Sequence, residues 1–260
     1  MNRDSNVYTF LFTVVMVFLV ATSLATTASL LKDLQKENVR KEKMQNILSS
    51  IGITTDRENS EKLYNSYITD ALSLKSDGTI DKEVDAFKIK LNKELKKTPD
   101  QQRYPIYIAK VEENNYYIIP LRGAGLWDAI WGYIALKDDK STIKGAVFDH
   151  KSETAGLGAE ITQDWFQNRF IDEKVMDING NLVGINVSKT NNDPQDLDKL
   201  DHEVDAISGA TITGDGVTDM ILERLKHYLP FFNRKDVLAL NLSLIHISEP
   251  TRRTPISYAV

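Results

Sequence analysis

Residues 104–121 read YPIYIAKVEENNYYIIPL, and this stretch decides the fold class. Its side-chain pattern has a period of two on both sides of a polar turn, 112–115, as in two neighbouring strands. A second pair of strands is predicted at 133–137 and 142–148, around a turn that contains two aspartates and a lysine. The sequence therefore predicts a mainly antiparallel sheet.

Helical patterns flank these strands. Three segments have the apolar spacing or the composition of a helix. We predict helices at 60–74, 159–170 and 217–228. A further strand is predicted at 182–188, and 191–201 is typical of a polar loop. Together these elements predict an α+β fold, with a mainly antiparallel sheet flanked by helices.

The composition excludes several classes of protein. The chain has 260 residues, 42% of them hydrophobic, which is enough for one core of ordinary size. It has no cysteine, so disulfides, thiolate nucleophiles and cysteine-ligated iron–sulfur clusters are excluded. The net charge of −5 provides no basic footprint for nucleic acid, and the four histidines lack the paired spacing of a metal site.

The amino-terminal part is apolar. Its 27 positions from 5 to 31 carry no charged residue, and as a helix they would span roughly 40 Å, more than a ~30 Å hydrocarbon core. We predict that 1–31 is a single transmembrane anchor. A cleavable signal peptide is the alternative, because Thr26, Thr27 and Ala28 offer small residues for a peptidase, but the apolar stretch is long for one.

The charges around this segment leave its orientation open. Five basic residues follow it, which would keep the following domain in the cytoplasm, yet large domains translocate largely regardless of flanking charge. Residues 32–103 are predicted as a helical stalk and insert, in which 32–50 continues the anchor helix and Gly52 ends it. The lysine-rich stretch 88–103 is typical of a solvated helix and linker.

The carboxyl-terminal stretch does not continue the pattern of the chain before it. Residues 242–260 read LSLIHISEPTRRTPISYAV, which resembles the translation of a transposase-type DNA sequencing adapter. We expect the natural sequence to run to about Asn241 here and 242–260 to be derived from the adapter. A genuine polar tail is the alternative.

The stretch with the clearest chemistry precedes the last predicted helix. Residues 205–216 read DAISGATITGDG, in which small residues let a ligand approach the backbone. Free N–H groups at a helix start favour a phosphate, and the hydroxyls of Ser208, Thr211 and Thr213 are available to bind or esterify it. The segment predicts a phosphate cradle, and an ordinary turn with an Asp or Thr N-cap is the alternative.

This segment also carries a family resemblance. Asp-x-x-Ser-Gly-Ala-Thr at 205–211 resembles the flavinylation motif of the FMN-binding domain in the NqrC family of the sodium-pumping NADH:quinone reductase and in the related G subunit of the Rnf complex. The resemblance implies that Thr211 carries FMN through a phosphoester, with Ser208, Gly209, Ala210 and Thr213 around it. It also implies a separate magnesium-dependent transferase that uses FAD as donor.

Two further segments resemble the same family, in the same order along the chain. Gly123-Ala-Gly-Leu-Trp127 provides Leu126 and Trp127, which can cover an isoalloxazine ring; an ordinary buried tryptophan is the alternative. The second segment, 150–158, reads HKSETAGLG, with alanine where the family has proline. Its glycines suit a close backbone approach, Glu153 and Thr154 are expected to bond flavin heteroatoms, and His150 is expected to be a structural turn residue. The cofactor residues predicted here are Glu153, Thr154, Gly156, Leu157 and Gly158.

The resemblance implies a function for the whole chain. Residues 104–241 would be an FMN-binding domain that relays electrons from an iron–sulfur carrier to the flavin of a neighbouring membrane subunit, and then to ubiquinone. The chain would be a single-pass subunit of a Na+-transporting NADH:ubiquinone reductase in the cell inner membrane, with its domain in the periplasm. It would not oxidise NADH alone, since no Gly-x-Gly-x-x-Gly follows a strand. The insert favours the NADH:quinone reductase; the Rnf-type flavoprotein, or a membrane-tethered binding module without covalent flavin, is the alternative.

Overall fold

The computed structural model of this protein describes residues 5–234. The predicted adapter-derived stretch, 242–260, lies outside the described residues. Six α-helices are present in the described part: α1 Asn6–Ser50, α2 Ser60–Tyr67, α3 Leu91–Glu94, α4 Asp164–Gln167, α5 Thr211–Lys226 and α6 Leu229–Phe232. Its strands are β1 Ile68–Leu74, β2 Tyr104–Val111, β3 Asn114–Ala124, β4 Ala129–Leu136, β5 Ile143–His150, β6 Asn186–Val187 and β7 Glu203–Val204. Single turns of 3₁₀-helix lie at Ala86–Lys88, Gly158–Thr162 and Asn168–Phe170.

The main sheet has five strands in chain order, β1-β2-β3-β4-β5, and every neighbouring pair is antiparallel. Val111 pairs with Asn114, so a two-residue turn joins β2 to β3, with Glu112 at φ 55°. The strands β6 and β7 form a separate, short parallel pair. The predicted α+β fold with a mainly antiparallel sheet is confirmed.

Both faces of the sheet are covered by helices. On one face Ile106 and Ile119 pack with Val217 and Ile221 of α5, within the larger of two buried clusters. On the other face the alternate strand positions pack against the carboxyl end of α1 and against α2, in a second cluster that includes Ile47, Leu48, Tyr64, Tyr107, Ala109, Ile118, Tyr133 and Ala135. The sheet is therefore the middle layer of three, which explains why its strands are apolar on both faces.

The first helix joins the apolar amino-terminal part to the domain. It runs without interruption for 45 residues, is long and apolar enough to cross a membrane, and none of its most apolar stretch is buried in the protein. At its other end the amides of Gly52 and Ile53 donate to the carbonyls of Ser49 and Leu48, with Gly52 at φ +84°. This is the Schellman motif that a glycine after a helix favours, so the predicted helical continuation over 32–50 and its predicted end at Gly52 are confirmed.

The prediction of one helix over 60–74 is wrong in its second half. The helix ends at Tyr67, and 68–74 forms the strand β1, in which Leu72 pairs with Ile106 and Leu74 with Tyr104. Leu72 and Leu74 are two positions apart and pack on the α5 side of the sheet. Pairing with β2 determines the extended conformation of 68–74, because tertiary contacts override a weak local helical pattern. The five-stranded sheet thus includes a strand from the stretch predicted as stalk and insert.

Other predicted elements differ in extent. The lysine-rich stretch 88–103 contains only the four-residue helix α3, and 159–170 is a series of short helical turns rather than one helix. The predicted strand 182–188 is reduced to Asn186–Val187, since its partner β7 has only two residues. The last long helix begins at Thr211, six residues before the predicted start, which places the end of the Ser-Gly-Ala-Thr motif on the helix itself.

A buried carboxyl group makes the stability of this fold depend on pH. Glu173 is fully buried, its two oxygens lack a hydrogen-bond partner of good geometry, and the Nζ atom of Lys199 lies 3.5 Å away. Burial, with Asp196 and Asp201 nearby, raises the pKa of Glu173 from 4.5 to about 8 against the opposing effect of Lys199. The protonated form is therefore favoured in the folded state.

We expect the contribution of Glu173 to the free energy of unfolding to be fully present below about pH 4.5 and to be lost as the pH rises through about 8, because the folded pKa lies above the unfolded one. The variant Glu173→Gln should lack this pH-dependent loss and be more stable than the wild type at pH 8.5, by roughly 1–3 kcal/mol. Thermal melts at pH 5, 7 and 8.5 measure both, with the exposed Glu223→Gln as control. An equal pH dependence of the wild type and Glu173→Gln would contradict the assignment.

Candidate functional site

A cleft of about 200 Å³ lies at one end of the main sheet. Antiparallel pairing brings the end of β3, the start of β4 and the end of β5 together there, so the loops after β3 and after β5 are neighbours. The first turn of α5 completes the cleft. Its lining consists of Leu126, Glu153, Thr154, Leu157, Gly158, Gly209, Ala210, Thr211, Ile212 and Thr213. All three segments that sequence analysis predicted for the cofactor thus meet at one place.

The start of α5 has no side-chain cap. Ala210 occupies the N-cap position, so no side chain accepts from the first amides, and the first intrahelical bond of this turn is from Gly214 N to Ala210 O. The amides of 211–213 have no hydrogen-bond acceptor within the described residues. An Asp or Thr N-cap, the alternative interpretation of this segment, is therefore wrong. Free amides at the positive end of a 16-residue helix favour an anion.

The three hydroxyls of the segment have different environments. The side chains of Ser208 and Thr211 are exposed, and neither hydroxyl is bonded to another group among residues 5–234. Thr213 is buried, and its Oγ1 donates to Oε2 of Glu153 at 2.7 Å. Thr211 is therefore the hydroxyl that both lines the cleft and is available for reaction.

Glu153 lies at the base of the cleft and is 7% exposed. Its Oε1 accepts from the backbone amide of Trp127 at 3.0 Å, and its Oε2 accepts from Thr213. Burial alone would raise the pKa of this carboxyl, but the donors around it, Trp127 N–H first, hold the pKa below its ordinary value. The side chain is therefore an ionised, hydrogen-bonded carboxylate at neutral pH.

Two glycines are required by this carboxylate. A Cβ atom on Gly125 would lie 2.5 Å from Oε1, and one on Gly158 would lie 2.6 Å from Oε2 and 2.4 Å from Oγ1 of Thr213. The backbone therefore packs directly against both oxygens. Sequence analysis assigned the glycine of 158 to the approach of a ligand, whereas the structure shows that it makes room for Glu153 and Thr213.

The apolar part of the cleft differs from the expectation at one residue. Leu126 and Leu157 line it with exposed side chains, but Trp127 does not line it. The Trp127 side chain is 66% exposed, and its Nε1 donates to Oγ1 of Thr154 at 3.2 Å beside the cleft. Trp127 is therefore neither part of the lining nor an ordinary buried tryptophan.

The remaining predicted residues lie beside the cleft. Ser208 and Gly156 lie in the same segments but outside the lining. His150 accepts the backbone amide of Glu153 through Nδ1 at 3.1 Å, which confirms it as a turn residue. Sequence analysis did not predict Ile212, which lines the cleft; the only signal for it was its position between two threonines that were predicted.

Comparison with known proteins identifies the family. The family described as FMN-binding domain matches residues 125–226, a span that begins at the loop after β3 and ends with α5. The NqrC protein of Vibrio anguillarum, the C subunit of its Na(+)-translocating NADH-quinone reductase, is 30% identical over 233 residues, which cover 83% of this chain and 89% of that protein. The chain belongs to this NqrC family.

Further members agree with this assignment. The corresponding protein of Haemophilus ducreyi is 28% identical over 83% of this chain and 88% of its own length. A crystal structure of the Parabacteroides distasonis protein matches with a TM-score of 0.71 and 36% identity, over 79% of this chain and 98% of that one. Shewanella oneidensis NqrC, with a TM-score of 0.62 and 22% identity over 75% and 96% of the two chains, supports the fold. The resemblance to NqrC and to an FMN-binding domain is confirmed.

The packing around Glu153 predicts that an added methyl group at 158 damages the cleft. We expect Gly158→Ala to lower the free energy of unfolding by roughly 2–3 kcal/mol, because the new Cβ would overlap two buried oxygens. Gly156→Ala in the same loop is the matched control. It has no atom within 4 Å of the new Cβ, so its cost is limited to the left-handed backbone at φ +75°, about 1–2 kcal/mol.

Urea unfolding of both variants measures the difference, and hydrogen exchange of the peptide amides around Thr213 reports on the cleft. If Gly158→Ala is as stable as Gly156→Ala or more stable, the packing around Glu153 is not as described.

Proposed function

We propose that this chain carries FMN covalently on Thr211 and serves as the membrane-anchored electron-carrier subunit of a Na+-translocating NADH:quinone reductase. The observation that supports the covalent site is the start of α5. There an exposed threonine hydroxyl with no partner among residues 5–234 stands at the first position of an uncapped helix, inside a cleft with apolar walls. Those features fit a flavin phosphate and its ring system.

The phosphate would be held by the backbone of α5. The amides of 211–213 point out of the first turn and can donate to phosphate oxygens, and the helix dipole adds to the attraction. The proposed phosphoester on Thr211 Oγ1 would place the phosphorus next to these amides. The donors to the phosphate would then be backbone N–H groups and not cationic side chains. This explains how the segment could bind an anion although, among residues 5–234, no Lys or Arg lines the cleft.

Attachment would need a separate enzyme. A threonine hydroxyl is a poor nucleophile without a base, and among residues 5–234 no histidine lines the cleft. A transferase with FAD as donor would form the Thr211 Oγ1–P bond and break the phosphoanhydride of FAD. AMP would leave, and the threonine proton would pass to the transferase or to water.

The ring system would lie against Leu126 and Leu157. These exposed apolar side chains line the cleft from two different loops and can pack against an aromatic ring and exclude water from it. Thr154 lines the same cleft with a hydroxyl that can bond a flavin heteroatom in addition to accepting from Trp127. FMN, when bound, supplies the redox chemistry, while the protein sets its position and surroundings.

Membership of the NqrC family, together with the apolar helix α1, supports a place for the chain in a membrane-bound assembly. Helix α1 would span the inner membrane, and its buried carboxyl end would fix the FMN-binding domain next to it, on the periplasmic side. Electrons would arrive from an iron–sulfur carrier and leave to the flavin of a neighbouring membrane subunit, and then to ubiquinone. Sodium transport would belong to the assembly, and this chain alone would not oxidise NADH.

Replacing Thr211 tests this proposal. When the full chain is produced with a flavin transferase, we expect the wild type and Ser208→Ala to keep flavin absorbance after acid precipitation. Thr211→Ala should lose it entirely because the attachment oxygen is gone. Ser208 is the matched control, since its hydroxyl is also exposed and lies three residues away.

Thr211 is exposed, so the thermal midpoint of Thr211→Ala should stay within a few degrees of that of the flavin-free wild type. Acid-stable flavin on Thr211→Ala would contradict Thr211 as the site. Absence of acid-stable flavin on the wild type would instead support a membrane-tethered binding module.

A further inference from the structure

One buried carboxylate touches every segment that lines the cleft. Glu153 belongs to the loop after β5, its Oε1 holds the loop after β3 through Trp127 N, and its Oε2 holds α5 through Thr213. We propose that Glu153 is the positioning residue of this site, which holds the two loops in register with the first turn of α5. The proposal deepens the function proposed above and rests on it for the identity of the ligand.

The hydrogen bonds of Glu153 join elements that are far apart in sequence. Trp127 precedes Glu153 by 26 residues, and Thr213 follows it by 60. The other side-chain bond at this place, from Trp127 Nε1 to Thr154, is exposed and joins only the two loops. Among the described residues, Glu153 is therefore the side chain that couples both loops to the helix carrying Thr211.

The position of this carboxylate is fixed by the backbone around it. The hydrogen positions of Gly125 and Gly158 face its two oxygens so closely that a methyl group would fit at neither. Its own backbone amide donates to His150 Nδ1, which fixes the start of the loop as well. A charge-assisted bond in such a buried, close-packed place is stronger and more directional than one in water.

This arrangement assigns Glu153 a role through other residues rather than direct contact with the flavin. Both carboxylate oxygens already accept from protein donors, and the side chain is almost fully buried. Glu153 sets the mutual distances of Leu126, Leu157 and Thr211, which are the residues proposed to hold the ring and the phosphate. Loss of its bonds would let the cleft open while the sheet behind it stays packed.

The experiment uses the full chain in detergent and four variants. Glu153→Ala removes both bonds, and Glu153→Gln keeps the shape, an acceptor for Trp127 N–H and an amide that can donate to Thr213. Thr213→Val removes one of the two bonds at nearly constant volume. Glu160→Ala is the matched control, because within the described part of the chain this carboxylate accepts only from the amide of the nearby Gly156.

Two quantities are measured on each protein. One is the initial rate of flavin loading with the transferase and FAD, followed by intact mass. The other is hydrogen–deuterium exchange of the flavin-free chain, compared between cleft peptides (124–128 and 210–218, which includes the bonded amides of the start of α5) and sheet peptides (β2 and β3). The exchange measurement needs no flavin, so a failure of the proposed function, in which even the wild type does not load, is distinguishable from a failure of this inference.

We expect Glu153→Ala to load FMN about tenfold more slowly or worse, in line with the loss of charge-assisted bonds. Exchange should rise in the cleft peptides and stay unchanged in the sheet peptides. Thr213→Val should show a smaller change of the same kind. Glu153→Gln and Glu160→Ala should stay within about twofold of the wild type, a smaller effect than the loss of one hydrogen bond.

Three outcomes would overturn the inference. Glu153→Ala could load at the wild-type rate with unchanged cleft exchange. Exchange could rise equally in β2 and β3, which would make Glu153 a residue of general stability. Glu153→Gln could behave like Glu153→Ala, which would show that retaining the hydrogen bonds does not restore the cleft.

Discussion

Antiparallel pairing of β3, β4 and β5 is the constraint on which the site depends. It brings the loop after β3 and the loop after β5 to one edge of the sheet, although they are separated by a whole hairpin in sequence. Helix α5 packs across the same sheet through Val217 and Ile221, so its first turn reaches this edge. The carboxylate of Glu153 then joins the three segments, and this bond is possible only because Gly125 and Gly158 leave room for it. The fold thus supplies a preformed cleft.

This geometry determines which polar groups of the cleft are hydrogen-bonded within the protein and which remain free. The buried side chains of Glu153 and Thr213 are hydrogen-bonded to each other, whereas the uncapped amides of α5 remain available to an anion. Thr211, whose side chain is exposed, is the first residue of this helix. At the other end of the molecule, α1 passes from its unburied apolar part directly into the core through Ile47 and Leu48. One continuous helix therefore connects the proposed membrane anchor to the layer under the sheet, without a flexible linker between them.

Sequence alone predicted the elements whose local pattern agrees with their tertiary surroundings. The strands β2 to β5 alternate clearly and are bounded by polar turns, and Gly52 ends α1 as its position suggested. The motif ending at Thr211 also pointed to a phosphate site at a helix start. The predictions that were wrong concern places where long-range contacts decide. The strand β1 carries a helix-compatible pattern and is a strand only because β2 pairs with it. The hydrogen bonds of Glu153 and Trp127 were not predicted at all, because no spacing in the sequence reveals which atoms lie near these side chains.

The central claim is that the flavin phosphate is esterified to the first residue of α5. Tandem mass spectrometry of the flavin-containing peptide, from the full chain produced with a flavin transferase, tests it most directly because it locates the added mass on one residue. The account predicts a fragment series in which the mass of FMN minus water lies on Thr211, with Ser208 and Thr213 unmodified. Flavin mass on Ser208, on Thr213 or outside 205–216 would contradict it.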